Sequence, residues 1–200
     1  MCGLAAELSS LDGIKYSLSA DDISILSVGG WECCVESSLQ EAVDCVEVYI
    51  KEMGLKISPS KSELLLYRPT RGGLKPKNWK ALADVDIRLH TAAGKRIPRV
   101  EFIRVLGMII QANGQNGRMI DRLTSNAEGV IRLIARISNN RGGLREENLL
   151  RLFHALLMSH IYYVASMHKW QRHERTKLNT QIRKSIKIVV GLPMRTGTRH

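Results

Sequence analysis

The sequence predicts an α+β fold, with antiparallel hairpins and one amphipathic helix in the first half and an all-helical, basic segment in the second. Three observations predict it. Apolar and polar residues alternate on both sides of the dipeptide Asp21-Asp22. Apolar residues recur at three-four spacing from Leu39, and again from Arg118 onward. The charge also reverses sign along the chain. Period two marks a strand with one buried face, and a period near 3.6 marks a helix with an apolar stripe.

Taken in order, Ile14, Tyr16 and Leu18 share one parity and Lys15 and Ser17 the other, and Ile23 and Ile25 repeat the pattern beyond Asp22. A hairpin tipped by two carboxylates follows. Adjacent carboxylates repel unless a cation lies between them and a partner, and Mg²⁺ takes one or two carboxylates and fills its shell with water and phosphate oxygens. A solvated turn rich in Asp is the plainer alternative. After Gly29-Gly30, Leu39, Ala42, Val43, Val46, Tyr49, Ile50 and Met53 define a helix. Ser38 and Glu41 are spaced as a capping box, and Gly54 stands where a helix stops. Leu55–Ile57 and Lys61–Tyr67 read as short strands around a Ser58-Pro59 turn. Residues 68–86 form a basic connector in which Trp79 lies among Arg68, Arg71, Lys75, Lys77 and Lys80. That tryptophan suits a base-stacking role or a pinned loop equally well. Ile87–His90, a turn at Ala93-Gly94 and an apolar strand over Phe102–Ile110, interrupted by Gly107, lead to Asn113-Gly114.

Beyond Arg118 three helices are expected. The first carries Ile120, Leu123, Ala127, Val130, Ile134 and Ile137. The second, after a turn at Arg141-Gly142-Gly143, carries Leu149, Leu150, Phe153, Leu156, Leu157, Ile161 and Val164. The third carries Leu178, Ile182, Ile186 and Val189 and ends near Gly191 and Pro193. The division expected is 1–112 and 113–200, with the boundary inside 111–118.

Composition narrows the function. The chain has 200 residues, 44% of them hydrophobic, which is enough for a core and argues against disorder. No apolar run reaches the roughly 18–20 residues of a membrane span, and with no signal-like N-terminus an intracellular protein is expected. Residues 1–66 carry 4 Lys/Arg against 11 Asp/Glu, net −7, while residues 67–200 carry 26 against 8, net +18. Such a basic segment attracts polyanions, nucleic acid first among them. Cys2, Cys33, Cys34 and Cys45 have neither zinc-ligand nor secreted-disulfide spacing, so reduced thiols are expected. His154 with His160, and His168 with His173, are wrongly spaced to be paired ligands on one helix face.

The order of the parts is distinctive. The Ala20-Asp21-Asp22 tip and its helix precede Gly54-Leu55-Lys56-Ile57-Ser58-Pro59-Ser60-Lys61-Ser62-Glu63. Then come Arg104-Val105-Leu106-Gly107 and a helical segment with Tyr162-Tyr163 and Trp170. Over most of residues 1–190 this resembles the reverse transcriptase of non-LTR (long-interspersed-element type) retrotransposons, from the end of the palm into the thumb. The resemblance implies a partial polymerase palm followed by a thumb, and RNA-directed DNA synthesis on an RNA template and DNA primer. It makes Asp21 a ligand of two catalytic Mg²⁺ ions and Asp22 a more peripheral carboxylate. One ion would activate the primer hydroxyl and the other would hold the triphosphate. Lys61 would stand near the leaving pyrophosphate, and Leu106-Gly107 would be the primer grip. Arg172, Arg175, Lys177, Arg183, Lys184 and Lys187 would hold duplex phosphates.

Two departures qualify the match. Ser19 stands where the family usually has an aromatic residue, and the family's other metal-binding aspartate, its fingers and its Gln-Gly turn lie upstream of what this sequence carries. The expectation is therefore a polymerase fragment, inactive without an N-terminal polymerase part as partner. The alternative is a non-catalytic nucleic-acid-binding remnant of a transposon.

Overall fold

A computed structural model describes residues 2–69, 84–138 and 144–192, and the chain divides into two compact units, Met1–Glu101 and Phe102–His200. The fold is mixed α+β, with small two-stranded sheets. The unit boundary precedes the apolar hairpin, so that hairpin belongs with the helices; the division expected from the sequence lay at 112/113.

In the first unit, α1 (Cys2–Ser9) leads into β1 (Ile14–Ser19) and β2 (Asp22–Ser27), an antiparallel pair in register from Ile14 opposite Ser27 to Ser19 opposite Asp22. The parity read from the sequence holds on β1, where Lys15 and Ser17 are exposed and Ile14, Tyr16 and Leu18 are partly buried. The inward side chains, with Ile23 and Ile25, pack against Leu4 and Leu8 of α1 and against Ala42 and Val46 of α2 (Glu32–Glu52). Tyr16 fixes α1 as well, its hydroxyl donating to the Ala5 carbonyl at 2.8 Å. A Cβ on Gly3 would come within 3.0 Å of the Tyr49 ring, so glycine is what lets α1 lie this close to α2.

Helix α2 starts seven residues earlier than its apolar spacing suggests, with Trp31 as N-cap, so Ser38 and Glu41 lie inside it and form no capping box. Its end is as expected. Gly54 has φ +75°, its N–H bonds Lys51 O, and Leu55 N–H reaches back to Ile50 O, the paired bonds of a Schellman stop. The expected strand at Leu55–Ile57 pairs with no strand among the described residues and is irregular; Ile57 still packs on the hairpin core. Of the expected Lys61–Tyr67 strand only β3 (Leu64–Leu65) is ladder-paired, in parallel with β4 (Arg99–Val100). Val85, Ile87 and Leu89 alternate inward to Leu39, Leu64 and Ile97. Gln40 clips this segment to α2, accepting from His90 N–H at 2.9 Å and donating to His90 O at 2.8 Å, as a neighbouring strand would.

The second unit opens with β5 (Phe102–Val105) and β6 (Met108–Gln111). The single strand expected over Phe102–Ile110 is thus two antiparallel strands, folded back at Leu106-Gly107. Helix α3 (Gly117–Ser138) buries Ile120, Leu123, Ala127 and Ile134 as its spacing predicts, together with Met119, while Val130 and Ile137 are half-buried. The expected second helix is α4 (Glu146–Phe153), a π-helical stretch (His154–Met158) and α5 (Ser159–Met167) in continuous succession. Phe153 and Leu157 centre the core they share with α3 and with Leu178 and Val189 of α6 (Arg172–Val189). Gly191, at φ +67°, ends α6 with the same bond pair as Gly54. The Trp79 cluster with Arg71, Lys75, Lys77 and Lys80, the Arg141-Gly142-Gly143 turn and Pro193 lie outside the described residues.

Candidate functional site

The residues nominated from sequence fall on three features. The first is the β1–β2 tip. The two strands close over Ala20-Asp21, where only Ala20 has positive φ (+50°), the pattern of a type II′ turn that ordinarily takes glycine there. Asp21 lies in the turn and Asp22 opens β2. Both are exposed, and neither side chain has a hydrogen bond or ion pair among the described residues. Lys61 is also exposed, on a separate turn whose backbone is held by Lys61 N–H to Ser58 O at 3.0 Å. No bond joins it to either aspartate.

The second feature is the β5–β6 tip. Leu106 (φ +49°) and Gly107 (φ +82°) have the φ signs of a type I′ turn, which favours Asn-Gly or Asp-Gly. A non-glycine residue in the left-handed region costs about 1–2 kcal/mol. That cost is not met by burying Leu106, whose side chain is 52% exposed. A hydrogen bond offsets it: Tyr163 of α5 donates its hydroxyl to Leu106 O at 2.9 Å, a contact of about 0.5–1.5 kcal/mol net. Arg104, two residues before the turn, is exposed. At the other end of the hairpin the Arg118 guanidinium lies 4.2 Å over the Phe102 ring, and Gln111 accepts from Arg118 N–H at 2.8 Å, satisfying an open donor of α3. Among the described residues, Ala20 and Leu106 are the only non-glycine residues with positive φ.

The third feature is α6. At 100° per residue, Arg172, Arg175, Lys177, Arg183, Lys184 and Lys187 spread over an arc of roughly 200°, opposite the stripe of Glu174, Leu178, Ser185 and Val189. Those four are buried, whereas all six cations except the half-buried Lys187 are exposed. The helix has one acidic residue, Glu174, and it points inward with 2% exposure. There it accepts from Asn116 N–H and Asn116 Nδ2, both at 2.8 Å, and from Gln171 N–H at 2.9 Å. Burial by itself would raise the Glu174 carboxyl. The Gln171 and Asn116 donors, with His173 alongside, outweigh it and hold the carboxyl below its ordinary range. The carboxylate therefore docks the start of α6 onto the turn before α3 while leaving the outer face without an acidic residue. Beside it, burial lowers His168, against the opposing pull of Glu174.

Sequence reasoning nominated the carboxylates, Leu106-Gly107 and the cations, but not the turn at Leu106-Gly107, Tyr163 as its anchor, or Glu174 with Asn116. Glu174 follows Gln171 by three and precedes Leu178 by four, which puts it on the apolar stripe; that was its available signal. In comparisons with known proteins, no family model, no curated protein and no solved structure matches this chain. No described helix is long and apolar enough to cross a membrane.

Proposed function

We propose that this chain is the palm-to-thumb portion of an RNA-directed DNA polymerase of the non-LTR retrotransposon type, with a basic second unit that holds RNA template and DNA primer. The observation that carries the reading is the location of backbone strain. The two positive-φ non-glycine residues among the described residues sit at the two hairpin tips that the sequence resemblance assigns to metal carboxylates and primer grip. Strained residues of this kind concentrate at functional sites, because elsewhere glycine is free to replace them. The outward basic face of α6 supports the same reading, since phosphate contact is its simplest use.

Magnesium is the cofactor this reading implies. Asp21 and Asp22 are exposed oxygen donors of the right chemistry. Two carboxylates from one hairpin nevertheless fall short of a set that clamps two ions roughly 3.5–4 Å apart. Among the described residues no group of three His, Cys, Asp or Glu side chains can hold a metal. These residues do not fit a two-metal centre by themselves, so the reading requires a further polymerase part as partner. The isolated chain is then expected to show no polymerase activity; Mg²⁺-dependent extension of a primed RNA template, abolished by Asp21→Ala, would refute that expectation.

The incomplete ligand set favours a second reading, a nucleic-acid-binding remnant without catalysis. Both readings require duplex binding that weakens with salt, the logarithm of affinity falling by about 0.9 per neutralised phosphate per decade of salt. Anisotropy titration of a primed RNA–DNA hybrid is expected to give a steep slope, reduced by about two contacts in Arg183→Glu with Lys184→Glu. Absent or salt-insensitive binding overturns both. A Mg²⁺-dependent gain in affinity for primer and nucleotide, lost in Asp21→Asn with Asp22→Asn when the N-terminal polymerase part is supplied, favours the first reading over the second.

A further inference from the structure

We infer that Tyr163 is a positioning residue for the nucleic-acid contact of the second unit, holding the Leu106-Gly107 turn in the conformation that meets the sugar–phosphate backbone. The inference rests on the proposed nucleic-acid function and names the group on which that contact depends. Three observations converge. Leu106 carries a left-handed φ that its side chain disfavours, and nothing buries that side chain in compensation. Its carbonyl is the acceptor of the Tyr163 hydroxyl, 57 residues away in sequence. The turn sets Gly107, whose backbone carries no side chain, near the exposed Arg104, and backbone without bulk near a cation is the combination that close approach of a polyanion needs. Tyr163 is itself 42% exposed, so its hydroxyl is not placed by core packing alone. It bridges α5 to the turn and couples the hairpin tip to the helical core through one hydrogen bond.

The test uses the full chain and a primed RNA–DNA hybrid at several salt concentrations, together with amide exchange at Gly107 and Met108 without nucleic acid. Tyr163→Phe keeps the ring and removes the donor. It should accelerate exchange at the turn and weaken hybrid binding about fivefold, the worth of one ordinary hydrogen bond, without changing the salt slope. Leu106→Gly in the Tyr163→Phe background should restore affinity, because glycine adopts the left-handed turn unaided. Unaltered exchange in Tyr163→Phe overturns the inference, as does unaltered affinity. A double variant no better than Tyr163→Phe also overturns it, since the hydroxyl would then act other than through the turn. If the wild-type chain binds no hybrid at all, the proposed function fails first, and the exchange result still reports whether the hydroxyl pins the turn.

Discussion

The two antiparallel hairpins are built alike and finished differently. Each is closed by two residues, each places a non-glycine residue at positive φ in the first turn position, and each rests its strands on helices of its own unit. The β1–β2 tip ends in two carboxylates without side-chain partners among the described residues, whereas the β5–β6 tip is tied by Tyr163 to α5. One turn is left charged and open to solvent, as suits a group completed by a cation. The other is organised in advance, as suits a surface that meets a polymer of fixed shape. Under the proposed function, similar backbone strain serves two kinds of recognition, and the side chains around each turn decide which.

The comparison can be broken most forcefully at the support of the second hairpin. Glu174→Ala leaves three N–H donors of Asn116 and Gln171 without their acceptor, two of them on a buried asparagine. At about 1–3 kcal/mol for each buried group left unpaired, a loss of about 3 kcal/mol is expected in denaturant unfolding. The same carboxylate sets an acid limit. Its folded pKa lies below the ordinary value of 4.5, so its contribution is fully present above that value and is lost as pH falls through the depressed one. Stability measured from pH 6 downward should decline in the wild type, and this component of the decline should vanish in Glu174→Ala; an unchanged profile would remove Glu174 from the account.

A smaller effect sharpens the comparison at the first tip. Ala20→Gly relieves left-handed strain but adds freedom to the unfolded chain, for a net gain of about 0.5–1 kcal/mol. Equilibrium unfolding measures it, and a loss would mean that the Ala20 backbone is unstrained. The smallest effect belongs to the carboxylates. Asp21→Asn with Asp22→Asn should change stability by less than about 0.5 kcal/mol, because both are exposed and unpartnered. A large change would assign them a structural role in place of a ligand role.

Much of this was legible in the sequence. The parity of Ile14, Tyr16 and Leu18 and the stripes of α2, α3 and α6 were visible because a buried face imposes its period on the residues that fill it. The misses have physical reasons. Helix α1 is eight residues long, too short for a period to declare itself, although Leu4 and Leu8 mark its buried edge. The β5–β6 turn lacks the Asn or Asp that announces type I′, so an apolar run with one glycine looked continuous. The Ser38–Glu41 pair mimicked a cap because capping chemistry and ordinary surface polarity use the same side chains. Gln40 with His90, Asn116 with Glu174 and Leu106 with Tyr163 join residues 50 to 58 apart, and no local pattern records such pairings. At the candidate sites, residue types were readable and geometry was not. The aspartates and cations stood out by charge, while the strain at Ala20 and Leu106 exists only in the folded backbone.

The π-helical stretch at His154–Met158 acts as a phase adjuster. Leu149, Phe153, Leu157 and Ile161 are buried at successive four-residue steps. In a regular α-helix each such step drifts about 40°, enough over three steps to carry the stripe well off the core. A wider turn takes back that drift, and whatever follows it inherits the corrected angle. Winding His154–Met158 as a regular α-helix with no residue removed would leave every side chain upstream in place. It would also swing Tyr163 by about 100°, so the hydroxyl that steadies Leu106 is timed by an irregularity two turns before it.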